Sequence, residues 1–473
     1  MKKRGMGHTA LRFIVCLAYL AALLAGCTNG DNAQGEPQAK SAEGERTPST
    51  LSSRTLQGDP GKFNASSFLM RQFVDFVIED RTIANAGFEK VQFVGATLKG
   101  VTFSGCDFTN TAFAGGEFTD VTFTDCRFTE SQFSGVVFND VTFVGGTIEM
   151  YRGKGDRERY VREMFEQLAF VYIHNAGKLV FDAVSLRDAT LFAVEGGTIH
   201  LKNVTDCSYH PEYGRLIGDG KGVSLHIENC AIAGIDDIAR LNAPASVYIA
   251  DSTIEGGEFS VWSRDENVSA MYVENSRLVG GVEVERFNTV VFTGGTLEGT
   301  LNAENVFMRG SSFSGGEKDR YPRLPRVVGE KVYIFGDGAD ADALYVKSSE
   351  ELHISDLYMK TLSVSGTIDA FDMHAVKLDT LRFDDGLTLN GGKWERVEIM
   401  TQLKAASPGR YAFETVDVHD TTLHGGTVVI DGRSGDSRYS SNEEYILTLR
   451  ESDAPLALPE TAVPTLEELG IQR

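Results

Sequence analysis

"VTFSGCDFTNTAFAGGEFTDVTFTDCRFTE", residues 101–130, places a phenylalanine at Phe103, Phe108, Phe113, Phe118, Phe123 and Phe128. The step is always five. An α-helix repeats every ~3.6 residues and a strand every ~2, so neither explains it. The register extends from Phe88 through Phe93, Leu98 and Phe103 by fives to Phe143 and Ile148; of these thirteen positions eleven are Phe and all are large and apolar. Two residues before each stands a small or β-branched residue: Ala86, Val91, Ala96, Val101 and Cys106 open the series, and Val136, Val141 and Gly146 close it. Thr, Asp, Glu, Gly and Asn fill most of the rest. Such a chain points one large and one small residue inward and then turns a corner. A single repeat cannot bury its Phe; only stacked repeats can.

This pattern resembles the pentapeptide-repeat family, whose motif is small–polar–Leu/Phe–x–x. The resemblance implies a right-handed β-helix of square cross-section, one repeat per side and four per coil, with coils ~4.8 Å apart as strands are in a sheet. The clean register spans 86–150. Phe63, Phe68, Phe73, Ile78 and Ile83 keep the step, but Arg71, Phe76 and Arg81 occupy the small position, so 61–85 reads as an N-terminal cap. Cys106 and Cys126 are twenty residues apart, one full coil, both at the small inward position, and should stack directly.

After Ile148 the step is lost. "GDRERYVREMFEQL" (155–168) carries Val161, Met164, Phe165 and Leu168 at helical spacing, so 151–178 reads as a helical insertion. A looser repeat follows: "VYIADSTIEGG" (247–257), "MYVENSRLVGG" (271–281), "VVFTGGTLEG" (290–299), "VFMRGSSFSGG" (306–316) and "TVDVHDTTLHGG" (415–426). Period-two strands with Gly turns fit an irregular right-handed parallel β-helix over 179–430. Residues 431–473, with "TLEELG", read as a C-terminal cap or strap. The fold class expected is all-β: a parallel β-helix solenoid with short capping or inserted helices.

The N-terminus reads as a targeting segment. Lys2, Lys3 and Arg4 precede the apolar run "LRFIVCLAYLAALLA" (11–25), which ends in Leu24-Ala25-Gly26-Cys27. This resembles the leader and lipobox of bacterial lipoproteins. The resemblance implies removal of 1–26, acylation of Cys27 and, since Thr28 is not Asp, residence at the outer membrane. Residues 27–60 hold no aromatic residue and are rich in Gly, Ser, Pro and charge. They read as a flexible tether spanning roughly 30 Å. The whole chain carries −22; the leader contributes four cations and no acid, so the remainder carries −26. An anionic body on a lipid anchor is a poor partner for nucleic acid or anionic lipid surface. Cys106, Cys126, Cys207 and Cys230 remain beyond the anchor, enough for two disulfides in an exported protein.

The middle residue of each apolar-x-apolar strand points outward. These residues are His200, His226, Tyr248, Tyr272, Val291, Phe307, Tyr333 and His353. In register they form an outward, mostly aromatic stripe, and His200, His226, Tyr248, Tyr272, Phe307, Tyr333 and His353 are the candidate ligand-binding residues. The competing reading is a structural ladder covered by a loop or the C-terminal segment. Catalysis has only a weak basis in Asp417, His419, Asp420 and His424. The acidic turn "DGADAD" (337–342) lacks the further oxygens a Ca²⁺ loop needs. No phosphate loop, HExxH or CxxC occurs, and no cofactor, metal or catalytic residue is assigned. The reading is an envelope-anchored, non-catalytic solenoid offering a binding surface to a glycan or an envelope protein; the alternative is a β-helical carbohydrate-active enzyme. A role as a DNA mimic, known among pentapeptide-repeat proteins, conflicts with an exported chain.

Overall fold

The computed structural model describes residues 72–150, 168–209, 214–262, 269–314 and 324–368, with short stretches from 370 onward and the segment 463–471. The leader, Cys27, the tether, residues 155–167 and the Asp417–His424 cluster lie outside the described residues. The chain is an all-β solenoid of parallel strands.

In the Phe-rich section each coil has four sides and takes twenty residues. Phe73 pairs with Phe93, Ile78 with Leu98, Ile83 with Phe103 and Phe88 with Phe108. Four aromatic columns fill the centre. In one, Phe93, Phe113, Phe133 and Phe170 stack at 4.6–5.0 Å and within 5° of parallel. Rings from adjoining sides meet edge to face, as Phe113 and Phe118 do at 5.6 Å and 87°. Both arrangements suit the ring quadrupole.

The corners explain the residues between. Every fifth residue from Asp75 to Gly145 is left-handed, with φ between 46° and 66°. Six of these fifteen corners are Gly, five Asp and two Asn, the residues that tolerate this region best. Gly116 and Gly146 combine positive φ with the small inward position, and a Cβ there would collide with the backbone of Ala96 or Cys126. At the same position Cys106 and Cys126 stack in successive coils and donate to the carbonyls of Ile83 and Phe103, at 3.4 and 3.5 Å. All four described cysteines are free thiols. Burial pushes the Cys207 thiol up to about 12 and that of Cys230 up to about 11.

Two domain boundaries are corrected. Of the expected cap, 61–71 lie outside the described residues, and 72–85 belong to a coil of the solenoid. Phe73 stacks on Phe93 at 5.2 Å, and Val77–Ala84 pairs along its length with Thr97–Ser104. Phe76 and Arg81 occupy the small position here; Phe76 is buried and its ring lies 5.2 Å from that of Phe73. The solenoid also resumes before 179. Leu168–Val171 continues the column of Phe133 through Phe170, and His174–Asn175 pairs with Val137 and Phe138.

The cross-section then changes. Arg215–Lys221 pairs with Leu191 through Ile217 and with Val194 through Gly220, so one strand spans two former sides. Four large residues per coil, mostly Phe, fill a square centre; the Leu, Ile and Val that follow fill less and close a three-sided one. The first side carries Arg215–Lys221, Asp237–Asn242 and Glu258–Val261; the second Ser224–Glu228, Ala245–Ala250 and Ser269–Glu274; the third Ala231–Ala233, Thr253–Glu255 and Arg277–Val279. Later strands such as Glu283–Thr293 and Arg326–Phe335 run from the first side around onto the second. The inward column of the second side descends unbroken from Phe143 and Phe181 through Leu201, Ile227, Ile249 and Val273.

Candidate binding face on the second side

Because Leu225 and Ile227 point inward, His226 between them points out, and the same alternation holds on each rung. The structure brings all seven named candidates, with Val291, into one column. His200 pairs with His226, then Tyr248, Tyr272, Val291, Phe307, Tyr333 and His353 follow rung by rung.

The column has two halves. In the lower half the rings are tilted: His200 to His226 by 64°, His226 to Tyr248 by 71°, Tyr248 to Tyr272 by 42°. His200 Nε2 lies 3.2 Å from Glu228 Oε2. His226 is buried, with Nε2 3.3 Å from Ser224 Oγ. Burial lowers its pKa to about 4, and the proximity of His200 adds to the fall. The Tyr248 hydroxyl donates to Glu274 Oε2 at 3.0 Å.

The two tyrosines of this half are covered. Tyr248, Ala250, Ala270 and Ile471 form a separate apolar cluster, with Tyr272, Leu466 and Leu469 packed at its edge. The covering segment is a single turn: Leu469 N–H donates to Thr465 O at 3.1 Å. Its start is a capping box. The Thr465 amide donates to Glu468 Oε2 at 2.8 Å and the Glu468 amide returns to Thr465 Oγ1 at 3.3 Å.

In the upper half the rings are parallel, stacked and half-buried. Phe307 and Tyr333 lie 4.9 Å apart at 3°, and so do Tyr333 and His353. Glu351 organises this end: it accepts the Tyr333 hydroxyl and, at 2.8 Å, the Lys331 ammonium, and lies 3.6 Å from His353 Nε2. Lys331 first, then Tyr333, hold the Glu351 carboxyl below its ordinary range; burial first, then Glu351, push the Tyr333 phenol up. Sequence reasoning missed Lys331 and Glu351. They flank Tyr333 and His353 at period two, and that alternation was the signal available. The "DGADAD" turn is ion-paired: Asp337 with Arg309 at 2.9 Å and Asp342 with Lys360 at 2.6 Å.

A parallel solenoid with an outward ring column is a scaffold that can support a structure or display a surface. Residues 62–152 match the pentapeptide repeat region family model, which covers the described four-sided section, residues 72–85 included. No curated protein and no solved structure matches the chain.

Proposed function

We propose that the chain is an envelope-anchored, non-catalytic solenoid whose second side holds a protein partner through aliphatic side chains. The observation that carries this is the covered half of the column. There, Tyr248 and Tyr272 already pack with Leu466, Leu469 and Ile471 of a turn. Phe307, Tyr333 and His353 continue the same column. A glycan is the less favoured ligand, because sugars stack on ring faces and the stacked rings turn their faces to one another. What remains outward is an apolar edge bordered by Lys331 and Glu351, which suits a peptide with Leu or Ile beside a charge.

The test places a photo-crosslinking residue at Tyr333 or, on the first side, at Lys347, in cells. A discrete adduct at Tyr333 and none at Lys347 is the expected result; equal labelling at both positions removes the reading. A glycan array run with the same chain is expected to stay blank. The anchor is tested separately by metabolic labelling with a fatty-acid analogue. Cys27→Ser is expected to lose the label, and a labelled variant would end the lipoprotein assignment.

A further inference from the structure

On the first side the outward residues form another column: Glu258, Glu283, Thr300, Arg326 and Tyr345. The surface there dips into a groove of about 430 Å³, lined by Glu283, Glu298, Thr300, Leu324, Arg326 and Tyr345. That volume lies within the range of small-molecule sites, about 300–1,000 Å³.

The groove's charges are opposed but not paired with each other. Among the described residues neither Glu283, Glu298 nor Arg326 belongs to an ion pair. Glu298 is held in place: the Ser314 hydroxyl donates to its Oε1 at 2.6 Å and the Gly280 amide to its Oε2 at 3.3 Å. The Arg326 guanidinium rests over the Tyr345 ring at 5.0 Å, and the Tyr345 hydroxyl is 2.6 Å from Ser365 Oγ. Arg127, Arg187, Arg215, Arg240 and Arg309 sit on carboxylates; among the described residues Arg81, Arg277, Arg286 and Arg326 do not, and of these four Arg326 lines the groove. An arginine stacked on a ring beside two carboxylates, yet bound to neither, is placed for an anion from outside.

Register sets the separation. Glu283 and Arg326 are two rungs apart, with Thr300 between, so their Cα atoms are ~9–10 Å apart. Were the two head groups as far apart as their Cα atoms, a charge-assisted hydrogen bond of ~2.8 Å at each end would leave roughly 4 Å between the two poles of a ligand. The lean of Arg326 toward Tyr345, one rung further on, lengthens this.

We infer that the groove binds a zwitterion of amino-acid to dipeptide size. Its ammonium sits between Glu283 and Glu298, its carboxylate on Arg326, and Thr300 Oγ1 meets the polar atoms between. This does not rest on the reading of the second side.

Calorimetric titration of the purified full chain tests it, with alanine and alanyl-alanine as zwitterions, alaninamide as the cation alone and N-acetylalanine as the anion alone. At least one zwitterion is expected to bind saturably, with both single-charge analogues weaker by about tenfold, the scale of one charged hydrogen bond. Arg326→Gln should weaken the zwitterion about tenfold and leave alaninamide unaffected; Glu283→Gln should do the converse with N-acetylalanine. Both positions are exposed, and unchanged circular dichroism checks the fold. Tyr333→Ala, on the second side, should leave the titration unchanged. Absence of saturable binding overturns the inference. So does alaninamide binding as tightly as alanine, which would make the groove a cation site only, or an Arg326→Gln variant that binds like the wild type.

Discussion

Two ring stacks in this molecule share one geometry and have different surroundings. Inside the Phe-rich section, Phe113 and Phe133 lie 4.6 Å apart at 5°. Outside the three-sided section, Phe307 and Tyr333 lie 4.9 Å apart at 3°. Rung spacing imposes both, so face-to-face stacking by itself marks neither a core nor a binding site. The lateral neighbours separate the two. Phe133 also meets Phe118 and Phe143 edge to face at 6.2 and 5.9 Å and has no exposed surface. Tyr333 is flanked instead by Lys331, Glu351 and water, and keeps part of its edge open.

The comparison predicts a graded series of losses. Phe113→Ala removes a ring with stacked neighbours in two coils and edge contacts on both flanks. It is expected to cost ~3–5 kcal/mol. A solenoid opens locally, so amide exchange should quicken over the strands at 92–94 and 132–134 before the chain unfolds globally. Unchanged exchange there would mean that the inner stack is no more cooperative than the outer one.

Ile471→Ala should come next, at ~2 kcal/mol on docking of the C-terminal turn. Nitration is a direct readout. Tyr248 should be protected in the wild type and modified in a chain ending at Ala462. If Tyr248 is modified equally in both, the lower half of the column is as open as the upper.

A pH-dependent difference follows. The folded pKa of His226 is about 4, against 6.5 for the free side chain, so the unfolded chain binds its proton first. Stability from this residue is therefore present above pH 6.5, falls as the pH drops from 6.5 toward 4, and falls no further below that. Denaturant curves for wild type and His226→Gln should converge across this window; parallel curves would show that the imidazole is not desolvated.

The smallest effect is expected from Tyr333→Ala, which loses one stacked aromatic contact on each face and should cost ~1 kcal/mol. A loss as large as that of Phe113→Ala would show that the outer stack is part of the core.

The inner stack was legible from the sequence because its period is constant. The outer column was legible because apolar-x-apolar triplets mark each rung even where rung length varies. Rungs from His200 to His226 take twenty-six residues and from Val291 to Phe307 only sixteen. That variation hid the groove. Glu283, Thr300 and Arg326 are separated by seventeen and then twenty-six residues, and no fixed step aligns them. Residues 72–85 read as a cap because Phe76 and Arg81 break the small position, yet their strands pair in register with the coil that follows. The merging of two sides at Arg215–Lys221 has no local motif; it follows from the core volume summed over several strands.

The left-handed corner at every fifth residue gives this chain something like a reading frame. Inserting or deleting a few residues between Asp75 and Gly145 moves every later Phe off its column, whereas a change of twenty restores all four columns at once. Excising 101–120 would join Gly100 to Val121, seat Phe123 on Ile83, and shorten the molecule by one rung of ~4.8 Å. Length in this section can therefore vary by duplication or loss of whole coils, in discrete steps. Each step shifts the second-side column relative to the N-terminus and leaves its chemistry intact.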